Sequence, residues 1–446
     1  MLIFLLMMFS FIMYMFFMIL LSFVGESLFF FFFFFFFFFF FFFFFFNLLF
    51  NFYFNLSFLF GLDFISFFFC LLVIWIVTLM VGSFGSFSSS SSYFVFLSLV
   101  MFMFLFFSFV SLDFFMFYVF FEVSLIPVVL IVFGWGYQPE RLSSGFYMFF
   151  YTLFASFPLM ISFMVLDNLM GGLSYVLNFK FDDLFLNFFL IFAFLVKFPM
   201  LFFHNWLPSA HVEAPAGGSM ILAGVMLKLG GYGIIRLVKF IDKYMFTYSW
   251  FYMGISIYGF IYFSFICLFQ SDLKILTAYS SICHMMLVIG GIFTLSYLGL
   301  VGSLMLMIGH GLISSCMFYF IGLLYTRFGS RSFFVVRGLL VGVPSIGLIG
   351  FLMFAGNMSC PPSINLMSEV LLISSLMSWS FFLILFIFIG LFISACYSLF
   401  LFSFIFHGKC SSLIGGYEFK VYEILIMFLH LFPVYFILIN LYYFIL

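Results

Sequence analysis

The sequence predicts an all-α polytopic membrane protein of about fourteen transmembrane helices, two of them broken in mid-membrane and the whole arranged as inverted repeats. Three observations carry that prediction. Of 446 residues, 68% are hydrophobic and only 6% charged, and mean hydropathy is +1.42; a soluble domain carries about 25% charged residues. Apolar runs long enough to cross a hydrocarbon core, roughly 20 residues each, follow one another with short loops. Two of those runs are interrupted by proline, and each carries one charged residue. The net charge of −1 gives no basic field for nucleic acid.

Taken in order, the spans fall at roughly 2–23, 28–46, 60–82, 92–111, 113–134, 142–166, 185–209, 217–241, 248–268, 272–292, 297–322, 338–377, 381–404 and 424–445. The first twenty residues lack a basic n-region and a small-residue cleavage site, so they read as a span and not as a cleavable signal. The second holds an unbroken run of phenylalanines from Phe29 to Phe46. Packing gives no reason to prefer it over mixed aliphatics, whereas T-rich codons in an AT-biased organellar genome do. The Ser88–Ser92 tract separates the third span from the fourth.

The span at 185–209 holds Lys197 two residues before Pro199. Proline lacks the backbone donor and disfavours helix at the residue before it, so the helix breaks there. Irregular backbone at membrane depth survives only against protein or a water-filled cavity. The run 338–377 is too long for one span and carries Pro361–Pro362 in its middle, which marks a second broken helix. Interruptions at corresponding places in two halves are the sequence sign of an inverted-repeat transporter. The resulting organisation is 1–111 for helices 1–4, the fourth opening the first repeat; 112–241 for the rest of that repeat; 248–404 for the second repeat; and 405–446 for the C-terminal helix. Arg141, Arg327, Arg331, Arg337, Lys409 and Lys420 follow odd-numbered spans, against Lys180, Arg236, Lys239 and Lys243 for the even ones. That bias puts the odd loops inside.

With so few charges, depth decides which matter. A charge at the centre of a membrane helix costs about 2.5–3.5 kcal/mol on insertion scales, so it is seldom there without a role. Glu122 is mid-span in FYVFFEVSLIPVVL, and Lys197 and Lys228 interrupt apolar runs. Burial disfavours the charged ammonium, so a desolvated lysine can release a proton that an arginine would keep. A Glu122–Lys197 pair would bias that release as it opens and closes; a static ion pair holding helices together is the alternative. Glu369 lies seven residues beyond Pro362, inside the second broken helix. His284 and His310 are mid-span beside Ser and Gly and can relay protons near neutrality, or simply bond a neighbouring carbonyl. Lys274, ten residues before His284, is a candidate for the charge that joins the two histidines.

Other chemistry is not written here. The seven cysteines include no C-x-x-C and read as small apolar fillers. His204 and His211, near Glu213, match no zinc-ligand pattern. LGGYGIIR places Arg236 where a nucleotide fingerprint needs its third glycine, and there is no Walker A and no iron–sulfur cysteine set. No cofactor and no metal site is therefore expected in this chain, and an ion gradient or a partner must energise it.

The stretches FYVFFEVSLIPVVLIVFGWGYQPERL, FLVKFPMLFFHNWLPSAHVEAP, GSMILAGVMLKLGGYG, SDLKILTAYSSICHM and GHGLISS resemble the chain 4 family of mitochondrial NADH–ubiquinone oxidoreductase, respiratory complex I. The resemblance runs from about Leu112 to about Phe404 and leaves out the phenylalanine-rich start. It implies an antiporter-like fold and a multi-pass subunit of the mitochondrial inner membrane that translocates protons. Other subunits, carrying FMN, iron–sulfur clusters and ubiquinone, would move the electrons. Its expected partners are other membrane-arm subunits, neighbouring antiporter-like ones included, and lipids such as cardiolipin. By motif, Glu122 and Lys197 resemble the family's buried pair, Lys228 the next lysine of its central axis, His284 and His310 its relay histidines, and Glu369 its terminal carboxylate. Ser209 stands where the family usually has lysine and Gly217 where it has serine. A stand-alone cation/proton antiporter subunit is the competing reading.

Overall fold

The computed structural model describes residues 54–55, 60–84, 89–175, 183–238, 240–409 and 419–437. The first two expected spans, with the phenylalanine run, lie outside them. A two-residue antiparallel ladder, β1 (Phe54–Asn55) on β2 (Gly61–Leu62), precedes the helices. It sets the start of α1 (Phe64–Ser83) a few residues later than hydropathy suggests. There the Ser66 hydroxyl accepts from the Asp63 N–H at 2.7 Å and relieves one orphan donor of the helix end.

The helices then alternate direction through the bundle. α2 (Ser89–Val110) is followed by α3 (Phe114–Val123) and α4 (Leu125–Trp135), one span kinked at Ser124. Pro127 causes the kink, because it has no N–H for the Val123 carbonyl. α5 (Arg141–Met170) follows. The next span is broken as expected: α6 (Leu184–Lys197) stops at Lys197, and α7 (Trp206–Glu213) resumes after a turn. Trp206 Nε1 donates to the Val196 carbonyl at 3.0 Å, so the resumed piece satisfies an acceptor that the break frees.

The span carrying Lys228 is not a regular helix. α8 (Ala216–Ile221) passes into a π-helical segment, Leu222–Met226, before α9 (Leu227–Leu237). α10 (Asp242–Phe269), α11 (Leu273–Phe293) and α12 (Tyr297–Phe328) run back and forth beside it. Asp272 caps α11 through the Lys274 N–H at 3.0 Å, and Ser296 caps α12 through the Gly299 N–H at 3.1 Å.

After a one-turn α13 (Leu339–Gly342), the long run predicted at 338–377 is indeed divided, into α14 (Ser345–Asn357) and α15 (Ile364–Trp379). The gap holds the cis Pro361–Pro362 bond and Ser359 at φ 61°. α16 (Leu383–Phe406) and α17 (Val421–Phe436) complete the described chain. Nine described helical stretches are long and apolar enough to cross a membrane. The two broken spans and α17 are shorter apolar helices at the remaining positions predicted for this part of the chain.

Candidate functional site

The expected buried charges are found in the interior of the bundle, and they form a pair and a row. The pair is Glu122 with Lys197, Nζ to Oε1 3.7 Å, the side chains 14% and 4% exposed. Lys197 Nζ also donates to the Phe121 carbonyl at 3.1 Å and sits over the Phe121 ring, 2.9 Å from its centroid. The break after Lys197 and the kink after Glu122 thus aim two irregular helix segments at each other, and Ser156 on α5 lies beside the carboxylate.

The row begins at Lys228. Its Nζ donates to the Ala223 carbonyl inside the π segment and lies 3.0 Å from His310 Nδ1. π geometry replaces the i→i+4 ladder locally and turns up mostly at functional sites; here it presents a carbonyl to the ammonium. The approach of α12 to this segment needs Gly311, where a Cβ would lie 3.0 Å from the Gly224 carbonyl. His310 meets His284 with ring centroids 5.4 Å apart. His284 Nδ1 lies 3.6 Å from Glu369 Oε1. Lys228 and His310 are essentially inaccessible, at 0% and 1% exposed. α6, which ends on Lys197, packs against α9, whose second residue is Lys228, so pair and row belong to neighbouring helices.

One expectation needs correcting. Lys274 does not lie between His284 and His310, whose ring centroids are 5.4 Å apart. Ten residues of helix, about 15 Å, separate Lys274 from His284. Its Nζ instead donates to the Val212 and Ala214 carbonyls, at 3.3 and 2.9 Å, where α7 ends and Pro215 cannot continue the ladder. Arg331 Nη1 donates to the same Val212 carbonyl at 2.9 Å and stands 4.0 Å from Glu213. Gln138, with its amide oriented to satisfy both, bridges Glu213 and Arg331 at 3.1 Å each.

Two features escaped the sequence reading. His211, weighed only as a metal ligand, is buried, stacked 4.3 Å on Phe318, and within electrostatic reach of both Lys228 and Lys274. Its position on the resumed half of a broken helix was the available signal. The π segment has a weaker signal, the small pair Ala223–Gly224 ahead of a lysine. Ser209, where the resembling family has lysine, turns its hydroxyl back to the Asn205 and Trp206 carbonyls.

A helical bundle with two broken spans and a buried row of lysine, histidine and carboxylate is the architecture of membrane proteins that carry ions through their interior. Residues 111–396 match the family model described as NADH:quinone oxidoreductase/Mrp antiporter, transmembrane. NADH-ubiquinone oxidoreductase chain 4 of Ceratitis capitata is 42% identical, over 87% of this chain and 88% of its own length. The chain 4 protein of Locusta migratoria is 43% identical over 85% and 86%. Among solved structures, a chain of respiratory complex I from Thermus thermophilus with bound NADH superposes with TM-score 0.79 at 24% identity, covering 84% of this chain and 81% of that one. A chain of the Mrp complex of a Dietzia species gives 0.72 at 17%, covering 81% and 71%. The chain belongs to the NADH:quinone oxidoreductase/Mrp antiporter family, within its NADH-ubiquinone oxidoreductase chain 4 branch.

Proposed function

We propose that Glu122, Lys197, Lys228, His310, His284 and Glu369 carry protons through this chain, a proton-translocating membrane subunit of NADH:ubiquinone oxidoreductase. The observation that carries the reading is the 3.0 Å contact between Lys228 Nζ and His310 Nδ1, buried in the bundle and continued by His284 toward Glu369. A charged Lys228 faces a neutral imidazole nitrogen with a free lone pair. Transfer moves one proton from Nζ to Nδ1, leaving a neutral amine and an imidazolium; His284 and then Glu369 are the next acceptors. Lys197 acts on this row through charge. Two unit charges about 4 Å apart at an effective dielectric near 20 interact by about 4 kcal/mol. Separating Glu122 from Lys197 therefore leaves a bare ammonium in the next helix, which drives a proton off Lys228.

Electron transfer takes place in partner subunits that hold FMN, iron–sulfur clusters and ubiquinone, and this chain supplies no redox centre. Its place is the membrane arm of the complex in the mitochondrial inner membrane, beside other antiporter-like subunits and lipids such as cardiolipin. The segments 112–241 and 248–404 act as two inverted repeats, each built around a broken helix. Lys274, with Glu213 and Arg331, sits toward the end of the row nearer the matrix and hands protons to it by way of His211. The stand-alone antiporter reading is set aside, because the relatives above 40% identity carry the oxidoreductase name.

The test is Lys228→Met in the assembled complex in sealed membrane vesicles. Proton uptake driven by NADH oxidation is expected to fall by about 10²-fold or more, the scale of losing a proton-transfer group, with the amount of complex unchanged. Pumping at the parental rate would remove Lys228 from the path.

A further inference from the structure

The second broken helix holds two side-chain amides that the row above does not use. Asn357 ends α14 and Asn365 is the second residue of α15, and both are buried, 3% and 0% exposed. Asn365 Nδ2 donates to the Gly356 carbonyl at 3.1 Å, tying the first turn of α15 to the last of α14 across the gap. Its Oδ1 has no hydrogen-bond partner among the described residues. That oxygen is pressed against the backbone of α12 at Gly309, where a Cβ would come within 2.2 Å of it, one residue before His310. On the other side of the gap, the side chain and carbonyl of Asn357 lie alongside the His284 ring. Neither His284 nitrogen nor Asn357 Nδ2 has a hydrogen-bond partner among the described residues. The fully buried Ser363 Oγ likewise has no hydrogen-bond partner among the described residues.

A donor, an acceptor, a hydroxyl and an imidazole are therefore left open around one break. Each buried polar group without a partner costs about 1–3 kcal/mol, and proteins meet such clusters with ordered water making about three hydrogen bonds. The row itself asks for water here. Direct transfer needs heavy atoms roughly 2.6–3.2 Å apart, whereas His284 Nδ1 and Glu369 Oε1 are 3.6 Å apart and neither His284 nitrogen is hydrogen-bonded to His310.

We infer that Asn357 and Asn365 are positioning residues that hold the water through which a proton passes from His310 by way of His284 to Glu369. The inference rests on the proposed proton path. Asn365 Oδ1 accepts from water at the His310 end, and Asn357 Nδ2 donates to water at the His284 end.

The experiment compares Asn357→Leu, Asn365→Leu, Asn357→Ser and Asn365→Ser with Lys228→Met, in the assembled complex in sealed vesicles. It reads the rate of NADH-driven proton uptake and the amount of complex on native gels. Leucine fills the amide's volume without a polar atom; serine is too short to reach the Gly356 carbonyl but leaves a hydroxyl and room for water. Both leucine variants are expected to pump at least about tenfold more slowly, short of the ~10²-fold loss at a transferring group, while both serine variants keep most of the parental rate. Parental pumping in the leucine variants overturns the inference. So does an equal loss in the serine variants, which would make the amides structural ties. If the leucine variants do not assemble, the serine pair decides, and pumping as low as in Lys228→Met overturns it. Intact pumping in Lys228→Met instead overturns the proton path itself.

Discussion

Lys197 and Glu122 can be separated into a structural and a chemical contribution. Removing one member of a buried ion pair strands the other and costs about 3–5 kcal/mol, whereas removing both with apolar groups of similar size is often nearly neutral. Glu122→Gln and Lys197→Met are each expected to lower the thermal stability of the assembled subunit, and the double variant to recover most of it. Pumping should stay low in the double variant if the pair biases proton release. Recovery of stability and pumping together would return the pair to the role of a static clamp. These residues were legible in the sequence because an uncompensated charge in lipid is costly wherever it occurs, so its mere presence in an apolar run is informative. Asn357 and Asn365 gave no such signal. An amide in a membrane helix is cheap enough to pass unnoticed, and what makes these two matter is their distance from His284 and Gly309, which only folding sets. Lys274 shows the limit of counting along the chain: ten residues of helix separate it from His284, and its Nζ donates to the Val212 and Ala214 carbonyls.

At the scale of elements, proline made two of the four irregular membrane segments readable, at Lys197 and at Pro361–Pro362, while the kink that Pro127 puts at Ser124 went unread. The fourth, the π segment before Lys228, has no proline, and no residue type encodes a π turn by itself; Gly311 packs closely against it at the Gly224 carbonyl. Proline also explains how the C-terminal helix α17 is held. Pro433 has no N–H to offer the Leu429 carbonyl four residues earlier, and Trp75 Nε1 from α1 donates to that carbonyl at 3.2 Å. Trp75→Phe should therefore cost about 0.5–1.5 kcal/mol by removing the partner of a part-buried acceptor. In a Pro433→Ala background the helix regains its own donor, and the penalty should nearly vanish. Thermal stability of the four proteins in a double-mutant cycle measures this; equal penalties in both backgrounds would mean the indole acts only through packing.

Over the whole molecule, the alternation of helix direction sorts the cations by end. Arg141, Lys274, Arg327, Arg331, Arg337, Lys409 and Lys420 gather at one end of the described bundle, and Arg236 and Lys243 lie at the other. The expectation from loop charges is sharpened by the fold, since Lys274 joins the richer end through the Val212 and Ala214 carbonyls. Positively charged loops stay on the side from which a membrane protein is inserted, and with the proposed function this end is predicted to face the compartment in which NADH is oxidised. The cluster of Glu213, Arg331 and Lys274 then lies on the proton-uptake side of the row. The prediction is read with a membrane-impermeant thiol reagent. Arg337→Cys and Lys409→Cys, both exposed positions, should react in vesicles that oxidise added NADH. Lys243→Cys, exposed at the opposite end, should react only in vesicles of the opposite orientation. The reverse pattern would turn the molecule over, and uptake would then have to begin near Asp63 and Arg236, whose 2.5 Å ion pair closes the other end of α9.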